Sequence, residues 1–201
     1  MKTFDDLIHV NPNALSKKVC KDIIKRFEKD DRKKQGIDPT RVGSGVIGNS
    51  KDVKKCVDLR ISNLEDWKDI DNILFKSSDD NLKEYLEKIK VSNTIFFNSN
   101  KLQDSGYLVK RYKPGDYFLW HSDRSYNNSG WSRVVACVWY LNDITEGGYT
   151  EFAHGRKIYP KTGQLIMFPT SWTFPHRAVT PKVDTKYVIT SFLYTRDSCI
   201  P

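Results

Sequence analysis

The stretch Arg133-Val134-Val135-Ala136-Cys137-Val138-Trp139-Tyr140-Leu141 decides the fold. It is nearly all apolar and rich in β-branched and aromatic residues, which is the pattern of a central strand. Tyr107-Leu108-Val109-Lys110-Arg111-Tyr112 before it reads as another strand. Tyr149 to Phe152, Gln164 to Phe168 and Lys186 to Tyr194 continue the pattern after it. Turn chemistry separates these runs: Lys113-Pro114-Gly115-Asp116, Asn142-Asp143, Gly147-Gly148, Pro160-Lys161-Thr162-Gly163, Pro169 and Pro181. Short strands with Gly and Pro turns, and no helical pattern between them, predict a sandwich or jelly roll rather than a parallel α/β sheet.

Upstream of Gly106 the period is helical. From Asn13 to Arg32, Leu15, Val19, Ile23 and Phe27 fall on one stripe with Cys20 and Ile24 beside it, and Asn13 is placed to cap the helix. The pattern predicts a second helix over Leu64 to Phe75. It predicts a third over Asp80 to Val91, capped by Ser77 or Ser78. Between the first two lies Gly36 to Ser62, where Gly43, Gly45 and Gly48 read as a hairpin and surface loop, or as a lid. It lacks the GxxxxGK[ST] pattern of a phosphate-cradling loop. The expected architecture is α+β and mainly β. It is one domain over 1–201, with helical support in 1–105, a glycine-rich lid at 36–62 and a strand-rich core in 106–201.

The chain has 201 residues, 38% hydrophobic and 12% aromatic, enough for one domain with a real core, so global disorder is excluded. No apolar run approaches the roughly 20 residues of a membrane span. The acidic start Met1-Lys2-Thr3-Phe4-Asp5-Asp6 lacks a secretion core, which leads us to expect a cytoplasmic protein without membrane contact. Cys20, Cys56, Cys137 and Cys199 are scattered, giving neither a zinc signature nor a disulfide framework. The net charge of +8 allows acidic partners such as nucleic acid, but the basic residues alternate with acids, as on a solvated face.

The chemistry gathers around two of the four histidines; His9 and His154 read as ordinary surface or loop residues. His121 and Asp123, in Trp120-His121-Ser122-Asp123, close an aromatic strand in which positions two apart share a side. They are either a hydrogen-bonded pair or two metal ligands. His176, in Phe174-Pro175-His176-Arg177, is the candidate third ligand, completing two histidines and a carboxylate, the facial set of non-haem Fe(II) sites. Ten residues later Lys186 opens an otherwise apolar strand. It either sits at the solvent end or points inward, where a lysine needs an anionic partner.

Tyr112 to Tyr194 resembles the 2-oxoglutarate- and Fe(II)-dependent dioxygenases, specifically their prolyl 4-hydroxylase branch. The resemblance rests on Tyr112-Lys113-Pro114-Gly115, His121-Ser122-Asp123, Tyr140-Leu141-Asn142-Asp143, Gly147-Gly148-Tyr149-Thr150-Glu151-Phe152, Pro160-Lys161-Thr162-Gly163, and His176 with Lys186. It implies a double-stranded β-helix, a cupin-like jelly roll buttressed by helices. It implies Fe(II) on His121, Asp123 and His176, and 2-oxoglutarate held by Lys186 with Tyr112, Tyr140 and Thr190 around it. It also implies oxygen as co-substrate and ascorbate as reductant. Where the branch often carries a tryptophan six residues after the basic residue, this chain has Phe192.

By that resemblance the protein decarboxylates 2-oxoglutarate to succinate and CO2 and hydroxylates an unactivated C–H, most naturally of proline in a protein or peptide. Rival substrates are a free amino acid, another small molecule or a nucleobase. A jelly roll kept as a non-catalytic binding module is the reading from another class. Arg124, Tyr126, Trp131 and Arg133, just past the HxD pair, are candidates to meet the substrate, with Arg41 and Arg60 near the mouth.

Overall fold

The computed structural model describes residues 3–36, 41–42, 45–46, 53–90, 102–125 and 130–196. After a short 3-10 turn (Phe4–Leu7), the first half carries β1 (His9–Asn11), α1 (Lys17–Lys29), β2 (Lys34–Gln35), β3 (Arg41–Val42), β4 (Gly45–Val46), β5 (Lys54–Lys55), β6 (Val57–Arg60) and α2 (Lys68–Ile89). The second half carries β7 (Gln103–Asp104), β8 (Leu108–Tyr112), β9 (Tyr117–His121), β10 (Trp131–Tyr140), β11 (Thr150–Phe152), β12 (Lys157–Ile158), β13 (Leu165–Pro169), β14 (His176–Ala178) and β15 (Lys186–Arg196). Among the described residues no helix is long and apolar enough to cross a membrane.

Two antiparallel sheets form the body. The larger runs β1-β13-β10-β15-β8-β6-β2, with β7 also on β15; the smaller runs β12-β11-β14-β9-β5. This is the mainly β, double-stranded arrangement the strand pattern predicts, with helices on one side. The continuous apolar run of β10 follows from its position. Val135, Cys137 and Trp139 face the helices, in a cluster with Ile23, Phe27, Leu74 and Tyr85. Ala136 and Tyr140 face the smaller sheet, in a second cluster with Tyr112, Phe152, Phe168 and Val188. A strand buried on both faces has no reason to alternate.

The first half contributes strands as well as helices. β1 pairs with β13, β6 pairs with β8, and β5 closes the smaller sheet against β9. Within 36–62, the hairpin β3–β4 is present, but Lys54 to Arg60 is woven into both sheets rather than lying over them. The remainder of the glycine-rich segment, 37–40, 43–44 and 47–52, lies outside the described residues.

Two helix expectations are corrected. The cap of α1 is Ser16, whose hydroxyl accepts the Val19 N–H at 3.2 Å. Asn13 sits in the turn before it, its own N–H donating to Asn11 Oδ1 at 2.8 Å. The second and third helices are one, α2, and Ser77 and Ser78 lie inside it. No Gly or Pro interrupts Phe75 to Asp80, and Lys76–Asp80 at 3.0 Å and Asp79–Lys83 at 2.6 Å staple the exposed face. Ser77 points inward instead of capping. Its hydroxyl donates to Ala14 O at 3.1 Å and accepts from Trp139 Nε1 at 3.1 Å, docking the helix on β10. Replacing Ser77 with Ala is expected to lower stability by about 1–3 kcal/mol, because the buried indole N–H loses its acceptor. Urea unfolding measures this, and an unchanged midpoint would show that the docking does not depend on that hydroxyl.

Candidate metal centre

β9 and β14 are neighbours in the smaller sheet, and their register sets His176 directly across from His121. Directly opposed residues share a face, so the two imidazoles meet, with ring centroids 4.3 Å apart. Asp123 lies two residues beyond the end of β9, in a stretch without regular structure. It therefore reaches the histidines by leaving the strand, not by strand periodicity. That stretch is tied to β10, where Arg133 N–H donates to Ser125 O at 2.9 Å and the Arg133 guanidinium donates to Asp123 O at 3.4 Å. The carboxylate then faces both rings: Oδ1 is 3.5 Å from His121 Nε2, and Oδ2 is 3.4 Å from His176 Nε2. One ligand atom from each of the three residues lies within 4.8 Å of the others.

The ring nitrogens are assigned by their partners. His121 Nδ1 lies 2.8 Å from Leu119 O, and His176 Nδ1 lies 3.2 Å from Phe174 O. A carbonyl only accepts, so each Nδ1 carries the hydrogen. Nε2 of each ring then faces Asp123. Aromatic walls hold the rings: Phe118 stacks on His121 at 3.5 Å, and Phe168 meets His176 edge-on at 4.9 Å. Burial pushes the His176 imidazole down to about 4, against the pull of Asp123. Burial acts to raise the Asp123 carboxyl, but His176 and His121 bring it down to about 2. The three residues offer two ring nitrogens and one carboxylate, which is a donor set that suits a divalent cation.

A cavity of about 610 Å³ opens from this cluster. Lys186, only 3% exposed, lines it and has no ion-pair partner among the described residues. Burial alone pushes its ammonium down to about 7. Tyr112 stands directly opposite Lys186 in the ladder between β8 and β15. The Lys186 Nζ lies 5.8 Å from the Tyr112 ring and 5.3 Å from the Tyr140 ring. Tyr140 shares a hydrogen bond of 2.7 Å with Thr150 and stands behind the cavity lining, whereas Tyr112 and Thr190 form part of the lining. The inward placement of Lys186, left open by the sequence, is thus the one found.

Of the residues expected to meet substrate, Trp131 and Arg133 line the cavity, and so does Arg60. Arg133 lies 3.9 Å over the Phe192 ring and donates to Tyr194 OH at 2.9 Å. Arg124 is exposed and is not among the lining residues. Tyr126 and the Arg41 side chain lie outside the described residues. Lys54, Lys110 and Phe118 line the cavity and were not anticipated. For Lys110 a signal existed: it shares a strand face with Tyr112, two residues on. His9 and His154 lie elsewhere, bonded to Asn81 at 3.2 Å and to Asp5 at 3.0 Å.

The fold recurs in solved structures of known proteins. Residues 107–194 match the 2OG-Fe(II) oxygenase superfamily. The structure is similar to the viral collagen prolyl hydroxylase of Paramecium Bursaria Chlorella virus-1 in its 2OG complex (TM-score 0.67, 18% identity, 96% of this chain and 99% of that chain covered). It is similar to a prolyl hydroxylase of Trichoplax adhaerens in complex with a hypoxia inducible factor peptide fragment (TM-score 0.67, 17% identity, 94% and 84% covered). It is also similar to a Pseudomonas putida prolyl-4-hydroxylase (TM-score 0.59, 17% identity, 96% and 97% covered). No protein of curated function matches the chain. Residues 107–194 thus match the 2OG-Fe(II) oxygenase superfamily, within a chain whose fold is like that of the prolyl hydroxylases.

Proposed function

We propose that the protein hydroxylates proline in a protein or peptide, with release of succinate and CO2. The observation that carries this reading is the convergence of His121, Asp123 and His176 on one end of a cavity whose wall holds the unpartnered Lys186. His121 Nε2, Asp123 and His176 Nε2 would hold Fe(II), and the iron, when bound, supplies the oxidation with O2 and 2-oxoglutarate. Lys186 offers a buried ammonium to the distal carboxylate of 2-oxoglutarate through charge-assisted hydrogen bonds. Tyr112, Thr190 and, from behind, Tyr140 shape its seat. Phe118, Phe168 and Phe192 exclude water around the reacting end, and Trp131 and Arg133 face the substrate. Ascorbate would serve as reductant. The peptide reading draws on the structural relatives, one of which was solved with a peptide. A binding module without catalysis would have no use for an intact ligand set facing a buried, unpaired lysine.

The direct test is succinate formation from 2-oxoglutarate with Fe(II), ascorbate and oxygen, with and without a panel of proline-rich peptides. Stimulation by a peptide with a mass gain of one oxygen is expected; turnover that no peptide stimulates would move the substrate to small molecules or nucleic acid. Asp123→Ala and His176→Ala are each expected to reduce this turnover by at least about 100-fold, since loss of a supporting group alone costs up to that much. Circular dichroism should remain unchanged. Full activity of Asp123→Ala would refute the ligand assignment.

Lys186 sets a pH dependence. In the free site its pKa lies near 7, and the bound carboxylate requires the charged form. Above that value, binding must therefore take up a proton. The dissociation constant for 2-oxoglutarate, measured anaerobically with Fe(II), is expected to rise above pH 7, by up to about tenfold per unit. Lys186→Arg, charged throughout this range, should flatten the profile. Lys186→Ala should weaken 2-oxoglutarate at all pH values, and an unaltered constant in that variant would remove Lys186 from the co-substrate site.

A further inference from the structure

The cavity wall holds a second cationic group that the reading above leaves unused. Lys110 on β8 lies directly opposite Asp58 on β6 in the ladder, and Lys54 on β5 reaches the same carboxylate from the smaller sheet. Lys54 Nζ is 3.0 Å and Lys110 Nζ 3.2 Å from Asp58 Oδ2, while Oδ1 accepts from the Cys56 thiol at 3.0 Å. All three charged groups are buried, Lys54 at 3%, Lys110 at 7% and Asp58 at 9% exposure. Among the described residues no other acid pairs with either lysine. Two ammonium groups thus share one carboxylate, and one positive charge is left over in a dry wall, an arrangement that is unfavourable until an anion arrives.

The surplus charge faces the reaction. Both lysines line the cavity, and Asp58 does not. Lys54 Nζ lies 5.4 Å from the Phe118 ring, which in turn stacks on His121. Each ammonium has three donors, of which Asp58 takes one. Burial lowers the affinity of Lys110 for its proton, in keeping with a charge awaiting a partner. The co-substrate does not meet this need. Asp123 and one 2-oxoglutarate carboxylate would balance a divalent iron, and Lys186 would balance the other. Arg60 and Arg133 also line the cavity, but Arg60 is exposed and donates to Ser105 O, and Arg133 is taken up by Tyr194 OH and Asp123 O.

We propose that Lys54 and Lys110 bind a carboxylate of the primary substrate, so that the proline to be hydroxylated carries an acid close by. The inference rests on the oxygenase reading. An Asp or Glu next to the target in a peptide, or the α-carboxylate of a free amino acid, would supply the same group.

Two pairs of probes test this by calorimetry on protein loaded with Mn(II) and 2-oxoglutarate, which binds without turning over. One pair is acetyl-Ala-Pro-Glu-amide and acetyl-Ala-Pro-Gln-amide; the other is L-proline and prolinamide. The acid of at least one pair is expected to bind about tenfold or more tighter than its neutral partner, and the pair that responds tells a peptide from a free amino acid. Lys54→Gln and Lys110→Gln should each draw that ratio toward one, whereas Asp58→Asn, which adds to the surplus charge, should widen it. If Lys110→Gln fails to fold, Lys54→Gln in the end strand β5 carries the test. A ratio near one for both pairs, no binding of either acid, or a ratio unmoved in a folded lysine variant overturns the proposal while the oxygenase reading stands. Wild-type protein that binds no 2-oxoglutarate with Mn(II) and forms no succinate with Fe(II) overturns both.

Discussion

One cross-strand pair governs this structure: His121 opposite His176 in the ladder between β9 and β14. A slip of one residue in that ladder would turn one imidazole to the other face of the sheet and dissolve the cluster. The register is fixed on both sides, by β11 beyond β14 and by β5 beyond β9. Phe152 and Phe168 pack against the His176 ring, and Phe118 covers that of His121. Asp123 joins the two histidines only because the chain leaves β9 after His121 and is caught by Arg133 at two points, Ser125 O and Asp123 O. Arg133 is therefore a positioning residue as well as part of the cavity wall.

The larger sheet divides its two faces between stability and chemistry. Along β15, Lys186, Val188, Thr190 and Phe192 line the cavity. The alternate residues Ile189 and Leu193 join the helix-facing core. On β8, Val109 belongs to that core while Lys110 and Tyr112 face the cavity. The helices contribute to function indirectly. By burying one face with Trp67, Leu74 and Tyr85, they free the opposite face to hold cations and hydroxyls that a single-core sheet could not tolerate.

The sequence carried the strands and the HxD spacing because both signals are local, whereas the meeting of His176 with His121 depends on the pairing of β9 with β14. The run Arg133 to Leu141 and the His121-Ser122-Asp123 spacing can be read without knowing what pairs with what. The unity of α2 was hidden because a serine that caps a helix and a serine that binds an indole inside one look alike; only Trp139, far along the chain, distinguishes them. Lys54, Asp58 and Lys110 escaped notice for the same reason. Asp58 meets Lys110 through a strand pairing 52 residues apart, and Lys54 enters from a different sheet. Arg124 neighbours Asp123 in sequence, yet it is exposed and stands off the cavity lining, which nearness in sequence alone does not reveal.

The cluster of two histidines and an aspartate is held in place by the protein's own contacts. The largely buried Asp123 carboxylate is kept ionised by His176 and His121 against the cost of its burial. Both rings are held by their Nδ1 hydrogen bonds to Leu119 O and Phe174 O, which fixes their orientation. A divalent cation would meet all three donors at once. Metal binding would then add to the stability of the smaller sheet, which carries both histidines. The aromatic lining serves the same end, because water admitted to the cluster would solvate Asp123 and weaken the demand for the ion. Hydrophobic packing around His121 and His176 thus acts on the chemistry through the dielectric as much as through shape.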